Sequence, residues 1–158
     1  IILTPKFKIR PLAEILLYEA SRAQHTEEVL RPALAANKIV VCERYTDATT
    51  AYQGYGRGLD LKMVRALNAA ATKNLVPDLT IYLDVLPGEA LRRTAGKRKD
   101  RLEREDQSFH ARVRKGYLAI AGQEPARVKM VSAAGTIESV REKIWTAVMR
   151  KLGGSKHA

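Results

Sequence analysis

Glu43 and Arg44 stand side by side at the end of an apolar run, a pairing that can do definite chemistry. A carboxylate there can hold a metal ion or its waters, and a planar guanidinium can grip a phosphate through two parallel hydrogen bonds. The segment ERYTDATTAYQGYGRG (43–58) continues with hydroxyls, tyrosines, an amide and glycines, the makings of a polar loop whose backbone a small ligand can approach. Taken alone, a structural ion pair at a strand end followed by an ordinary surface loop accounts for the same residues. Tyr18 and Arg22 lie four apart, so on a helix they project from one face a turn apart. A ring and a fork at that spacing can stack on, and hydrogen-bond to, a flat base; a half-buried tyrosine beside a solvated arginine is the plainer alternative.

A second basic feature is the stretch LRRTAGKRKDRLERED (91–106), which carries Arg92, Arg93, Lys97, Arg98, Lys99, Arg101 and Arg104 with Gly96 among them. Three readings are open: a solvated helix face, an RNA-binding stripe, or a lid that closes over transferring phosphates. Few aromatics interleave the cations, which argues against a stacking platform for single strands. His25, His110 and His157 are scattered without metal-ligand spacing, and no Ser/His/Asp or Cys/His pairing stands out, so nucleophilic catalysis has no support. The net charge of +11 implies an anionic partner, whether nucleic acid, a membrane surface or a small phosphate-rich substrate.

The elements that must position these residues follow from the apolar pattern. KIVVC (38–42) and LTIYLDV (79–85) are apolar at almost every position and rich in β-branched residues, as strands covered on both faces are. RVKMV (127–131) is a weaker third candidate, and IILT (1–4) a possible fourth. Helical spacing runs from Pro11 to about Ala36, with Pro32 expected to kink or restart the helix and Asn37 to stop it; further helices fit 59–75, 105–121 and 136–152. Strands alternating with helices predict an α/β fold with a parallel sheet, whose ligand site lies beyond the carboxyl ends of the strands. Both candidate site segments follow a strand directly. A chain of 158 residues fits one domain, and its apolar runs are too short to span a bilayer. A soluble protein is expected. Cys42, the single cysteine, is expected to be a small buried core residue in a reducing cytoplasm.

Several segments together resemble the thymidylate kinase family in order and spacing: YEASRAQHTEEVLRPAL (18–34), VVCERYTDATTAYQGYGRGLD (40–60), PDLTIYLDV (77–85), DRLERED (100–106) and FHARVRKGYL (109–118). The resemblance covers roughly residues 12–150. It implies a three-layer P-loop nucleoside monophosphate kinase fold and ATP-dependent phosphorylation of dTMP to dTDP with Mg2+. By the same resemblance Tyr18 falls where a ring lies against the thymine face and Arg22 where an arginine reads the base edge. Arg44 matches the arginine that holds the dTMP phosphate, and Glu43 the carboxylate assigned to metal and catalysis. Thr49 and Gln53 match polar contacts to thymine, and Tyr52 a tyrosine near the deoxyribose. Arg93, Arg98 and Arg101 are the lid candidates for contact with ATP phosphates and the transition state. The resemblance also implies a cytoplasmic homodimer without membrane or nucleic-acid partners. Another deoxynucleoside monophosphate kinase of the same fold, or a nonenzymatic nucleotide- or nucleic-acid-binding module, is the alternative.

The sequence also departs from the family pattern. No glycine-rich loop ending in Gly-Lys-Ser/Thr is present, since GYGRG (54–58) lacks the lysine. In the related fold the strand before that loop lies centrally, between the strands represented by KIVVC and LTIYLDV. A sheet without it leaves unpaired backbone groups on both sides of a gap, so the natural chain is expected to carry residues before Ile1 and around Pro5 to Ile9 that this sequence lacks. Glu43 stands where aspartate is usual, Ala48 where serine is common, and Ser132 where aspartate is common.

Overall fold

The computed structural model describes residues 2–93 and 99–154. They form two compact units, one from the described residues of 1–76 and 98–117 and the other from those of 77–97 and 118–158.

The first unit is helical. α1 (Pro11–His25) starts on a proline whose fixed φ suits the first helical position. The helix then widens into a π-helical turn (Thr26–Leu30) and resumes as α2 (Arg31–Ala35). Pro32, which has no N–H to donate one turn back, sits in the first turn of α2, immediately after the widening. Asn37, at φ 54°, ends the run in the left-handed region. The expected long helix with a restart at Pro32 and a stop at Asn37 is thus present; the π-turn was not legible from spacing.

α3 (Thr46–Thr49) passes directly into a second π-helical segment, Thr50–Gly56. α4 (Leu61–Thr72) is capped by Asp60, whose carboxylate accepts the Met63 N–H at 2.8 Å, and closed by Lys73 at φ 48°. These caps trim the expected helix 59–75 at both ends. α1 packs against α4, with Ile15, Leu30, Ala51 and Val64 buried.

In the second unit β1 (Thr80–Asp84) and β2 (Val128–Ser132) pair in parallel, in register from Thr80 opposite Val128 to Asp84 opposite Ser132. α5 (Pro87–Arg93) follows β1, and α7 (Ile137–Gly154) follows β2 and packs on it. α6 (Gln107–Gln123) begins at Asp106, whose carboxylate accepts the Phe109 N–H at 2.7 Å. It contributes Phe109, Val113 and Gly116 to the interior of the first unit and Ile120 and Ala121 to that of the second.

Three sequence expectations are corrected. KIVVC (38–42) is not a strand: Ile39 is 76% exposed and Val41 94% exposed, and Cys42 is exposed rather than buried. The composition of a central strand is there, but among the described residues no neighbouring strand supplies hydrogen-bond partners or cover, and without a ladder the run stays irregular. Residues 2 and 3 likewise lie in a turn, and residue 4 is irregular, so no fourth strand forms among them.

Candidate active site

The first unit gathers one constellation from α1, the loop before α3 and the Thr50–Gly56 segment. Glu14, Tyr18 and Arg22 fall at four-residue intervals along α1. Arg22 is held on three sides. Its Nε donates to Glu19 at 3.3 Å, its Nη2 donates to the Thr49 hydroxyl at 2.7 Å, and its guanidinium lies 5.1 Å from the centroid of the Tyr45 ring. Glu19 is buried, and its second carboxylate oxygen has no hydrogen-bond partner among the described residues. Tyr18 is half-buried; burial first, and the nearby Glu14 carboxylate second, push its hydroxyl above the ordinary tyrosine pKa, so it is a neutral ring at physiological pH.

Arg44 has the backbone geometry of a special position, with φ 62°. An L-residue pays for that conformation, and residues held in it cluster at functional sites. Its guanidinium stacks on Tyr52, 4.8 Å from the ring centroid. Desolvation alone would lower its pKa, but the interactions with Tyr52 outweigh it and raise the pKa, so the cation is secure. Tyr52 is braced edge-on by Phe109 at 6.1 Å and Tyr117 at 6.5 Å.

Beneath this face lies a buried ionic knot that the sequence reading did not single out. Glu14 is 0% exposed. Its Oε1 accepts from Gln53 Nε2 and from Arg57 Nε, each at 3.0 Å; its Oε2 accepts from Arg57 Nη2 at 3.1 Å and from Arg101 Nη2. Burial would push this carboxyl up, yet the hydrogen bonds from Arg57, Gln53 and Arg101 outweigh it and hold the pKa below the ordinary glutamate value. Arg57 also pairs with Glu105 at 2.7 Å and lies 4.7 Å from the centroid of the Phe109 ring. Arg101 donates from Nε to the Ile2 carbonyl at 2.7 Å. The signal was present in the sequence: stepping back one helical turn from the Tyr18–Arg22 pair reaches Glu14.

The structure therefore brings together Tyr18, Arg22, Thr49, Arg44, Tyr52 and Gln53. Arg101 is placed under the same site, its guanidinium committed to Glu14 and Ile2 rather than exposed on a lid. Arg93 lies in the second unit, pairing with Glu89 and donating to the Ala133 carbonyl at 3.1 Å. There it lines a cavity of about 650 Å³ with Leu83, Gly135 and Trp145. Arg98 falls outside the described residues. Glu43 is exposed beside Arg44, and no group of three or more His, Cys, Asp or Glu side chains is placed to cage a metal among the described residues.

Comparison with known proteins fits this arrangement. The fold is similar to the crystal structure of thymidylate kinase from Ehrlichia chaffeensis, with TM-score 0.72 and 30% identity over 89% of this chain and 66% of that one. The family profile described as thymidylate kinase matches residues 1–144. The thymidylate kinase of Synechococcus sp. (strain JA-2-3B'a(2-13)) is 51% identical over 142 residues, covering 90% of this chain and 68% of the relative. That of Syntrophotalea carbinolica is 50% identical over 149 residues, covering 90% and 69%. The chain thus spans about two thirds of the length of the relatives it matches. Fold and site define an α/β phosphotransferase of the nucleoside monophosphate kinase class. Within that class the chain belongs to the thymidylate kinase family.

Proposed function

We propose that the protein transfers the terminal phosphoryl group of ATP to the 5′-phosphate of dTMP, giving dTDP and ADP on the route to dTTP. The observation that carries this reading is the joint placement of a neutral ring (Tyr18), an anchored arginine (Arg22) and a stacked, charged Arg44 in one unit of a chain of this family. Tyr18 stacks on the thymine, while Arg22, Thr49 and Gln53 hydrogen-bond to its edge. Tyr52 packs by the deoxyribose, where its bulk disfavours a 2′-hydroxyl. Arg44 holds the acceptor phosphate as a fork, which serves in-line positioning and charge neutralisation, the main demands of phosphoryl transfer. Arg93 and Arg98 are assigned to the donor phosphates. Arg101, tied to Glu14, anchors the basic segment at the acceptor site.

Mg2+ commonly uses one or two carboxylates and completes its shell with water and substrate phosphates. Exposed Glu43 fits that habit as a single hard oxygen donor. A Mg2+ ion held there would supply charge neutralisation on the transferring phosphate oxygens. A cytoplasmic homodimer is proposed on the family resemblance; sedimentation of the full-length protein at the mass of one chain overturns the dimer.

The deciding experiment couples ADP release to added dTMP on the full-length protein, with dUMP, dCMP and dGMP as competitors for the role. Turnover with dTMP far above the others is expected. No turnover above background, with dTMP giving no protection against thermal unfolding, ends the reading.

A further inference from the structure

The four hydrogen bonds on Glu14 have a consequence for base selection. A carboxylate can only accept, so the carboxamide of Gln53 must present its nitrogen to Glu14, as the 3.0 Å contact records. Gln53 is buried and cannot simply turn over without setting oxygen against oxygen. Its amide oxygen accepts no hydrogen bond from the described residues, so that acceptor is left for a donor on the ligand. Arg57 and Arg101 fill the remaining acceptor positions of Glu14 and hold it in place.

We infer that Glu14 is a positioning residue that fixes the Gln53 carboxamide with its oxygen toward the ligand, so that the site selects a base carrying a ring N–H donor. The inference rests on the proposed reading that Gln53 faces the base. Thymine and uracil carry a hydrogen at N3 and can donate to that oxygen. Cytosine has a bare N3 lone pair, which would face the oxygen acceptor to acceptor. A site built to pair with one N–H rejects an analogue lacking it strongly, because its own buried acceptor is then left unpaired. Glu14 acts one residue removed from the ligand: it determines which end of the amide is offered.

The test uses the full-length enzyme, wild type and Glu14→Gln, with dTMP, 5-methyl-dCMP and 3-deaza-dTMP. A glutamine at 14 can donate as well as accept, so Gln53 is released to present either end. The expected result is that the preference for dTMP over 5-methyl-dCMP narrows by about tenfold or more in Glu14→Gln, mainly through KM with a smaller change in kcat. A purely structural role lowers activity on both nucleotides in parallel and leaves that ratio unchanged, and this outcome overturns the inference. Should Glu14→Gln fail to fold, the wild type decides by equilibrium binding. The 3-deaza analogue, which has C–H in place of N3–H, is expected to bind about tenfold or more weakly than dTMP. Equal binding overturns the inference. Absence of dTMP turnover in the wild type strikes the kinase reading instead, while the binding comparison still judges the amide.

Discussion

The guanidinium of Arg44 lies 4.8 Å from the centroid of the Tyr52 ring while its own backbone sits at φ 62°, so one residue combines a strained main chain with a braced, charged side chain. The strain and the contact can be separated by substitution. Arg44→Gly relieves the left-handed strain, of about 1 kcal/mol, and loses a cation–π contact of about 0.5–1 kcal/mol. Its unfolding midpoint should stay close to wild type. Arg44→Ala loses the contact and keeps the strain, so it should be the less stable of the two by about 1 kcal/mol. Arg44→Lys keeps the charge but not the fork, and kcat/KM for dTMP should fall by about a hundredfold. Steady-state kinetics and urea unfolding check all three; Lys at wild-type activity contradicts the assigned role.

Arg22 joins binding to stability because it is the one partner of buried Glu19 among the described residues. Arg22→Ala leaves that carboxylate buried and alone, which should cost about 3 kcal/mol and also weaken dTMP binding. Adding Glu19→Gln removes the orphaned charge. The double variant should regain most of the stability and none of the affinity. A double variant that recovers dTMP binding shows that Arg22 acts through folding alone.

The clustering of Tyr18 and Arg22 was legible from sequence because helical periodicity is strict: the two had to share a face, and the Glu43–Gly58 segment had to follow an apolar run. β1 and β2 were legible for the same reason, each being a short run of strand-forming residues. KIVVC was misread because its composition describes what a covered strand needs, whereas strand formation depends on a neighbour that composition cannot supply. The π-helical segments Thr26–Leu30 and Thr50–Gly56 were illegible because apolar spacing over so few residues does not separate a π-turn from an α-helix. Glu14 was passed over since a glutamate among Leu12, Ile15 and Leu16 reads as solvated; its burial depends on Arg57 and Arg101, 43 and 87 residues away.

Gly56 is required by close approach. A Cβ there would come within 2.8 Å of Phe109 Cε2 and 2.9 Å of Val113 Cγ2, both on the buried face of α6. Phe109 also braces Tyr52, so a shift to make room is transmitted to the site. Gly56→Ala should cost about 1–3 kcal/mol and raise the KM for dTMP. Gly122 lies on the same helix with nothing within 4 Å of an added Cβ. Gly122→Ala should therefore stabilise by about 0.5–1 kcal/mol and leave kinetics unchanged. Thermal unfolding that moves both variants in the same direction contradicts the packing argument.

Glu14 also sets a pH dependence whose sign follows from its neighbours. Its folded pKa is lowered, because hydrogen bonds from Arg57, Gln53 and Arg101 exceed the opposing effect of burial. In the unfolded chain the carboxyl returns to its ordinary value of 4.5. The stabilisation is therefore fully present above that value and is lost as pH falls through the lower, folded one, since there the unfolded state binds the proton more readily. Asp106 and Glu27 are shifted in the same direction, Asp106 by Ser108 and Phe109 and Glu27 first by Lys73, but both are exposed and their contributions are screened by salt. Urea unfolding at high ionic strength should thus show wild-type stability falling below pH 4.5 more steeply than that of Glu14→Gln, which has no carboxyl to titrate at that position. Parallel curves for the two proteins would mean that the buried knot is not the group that loses its charge.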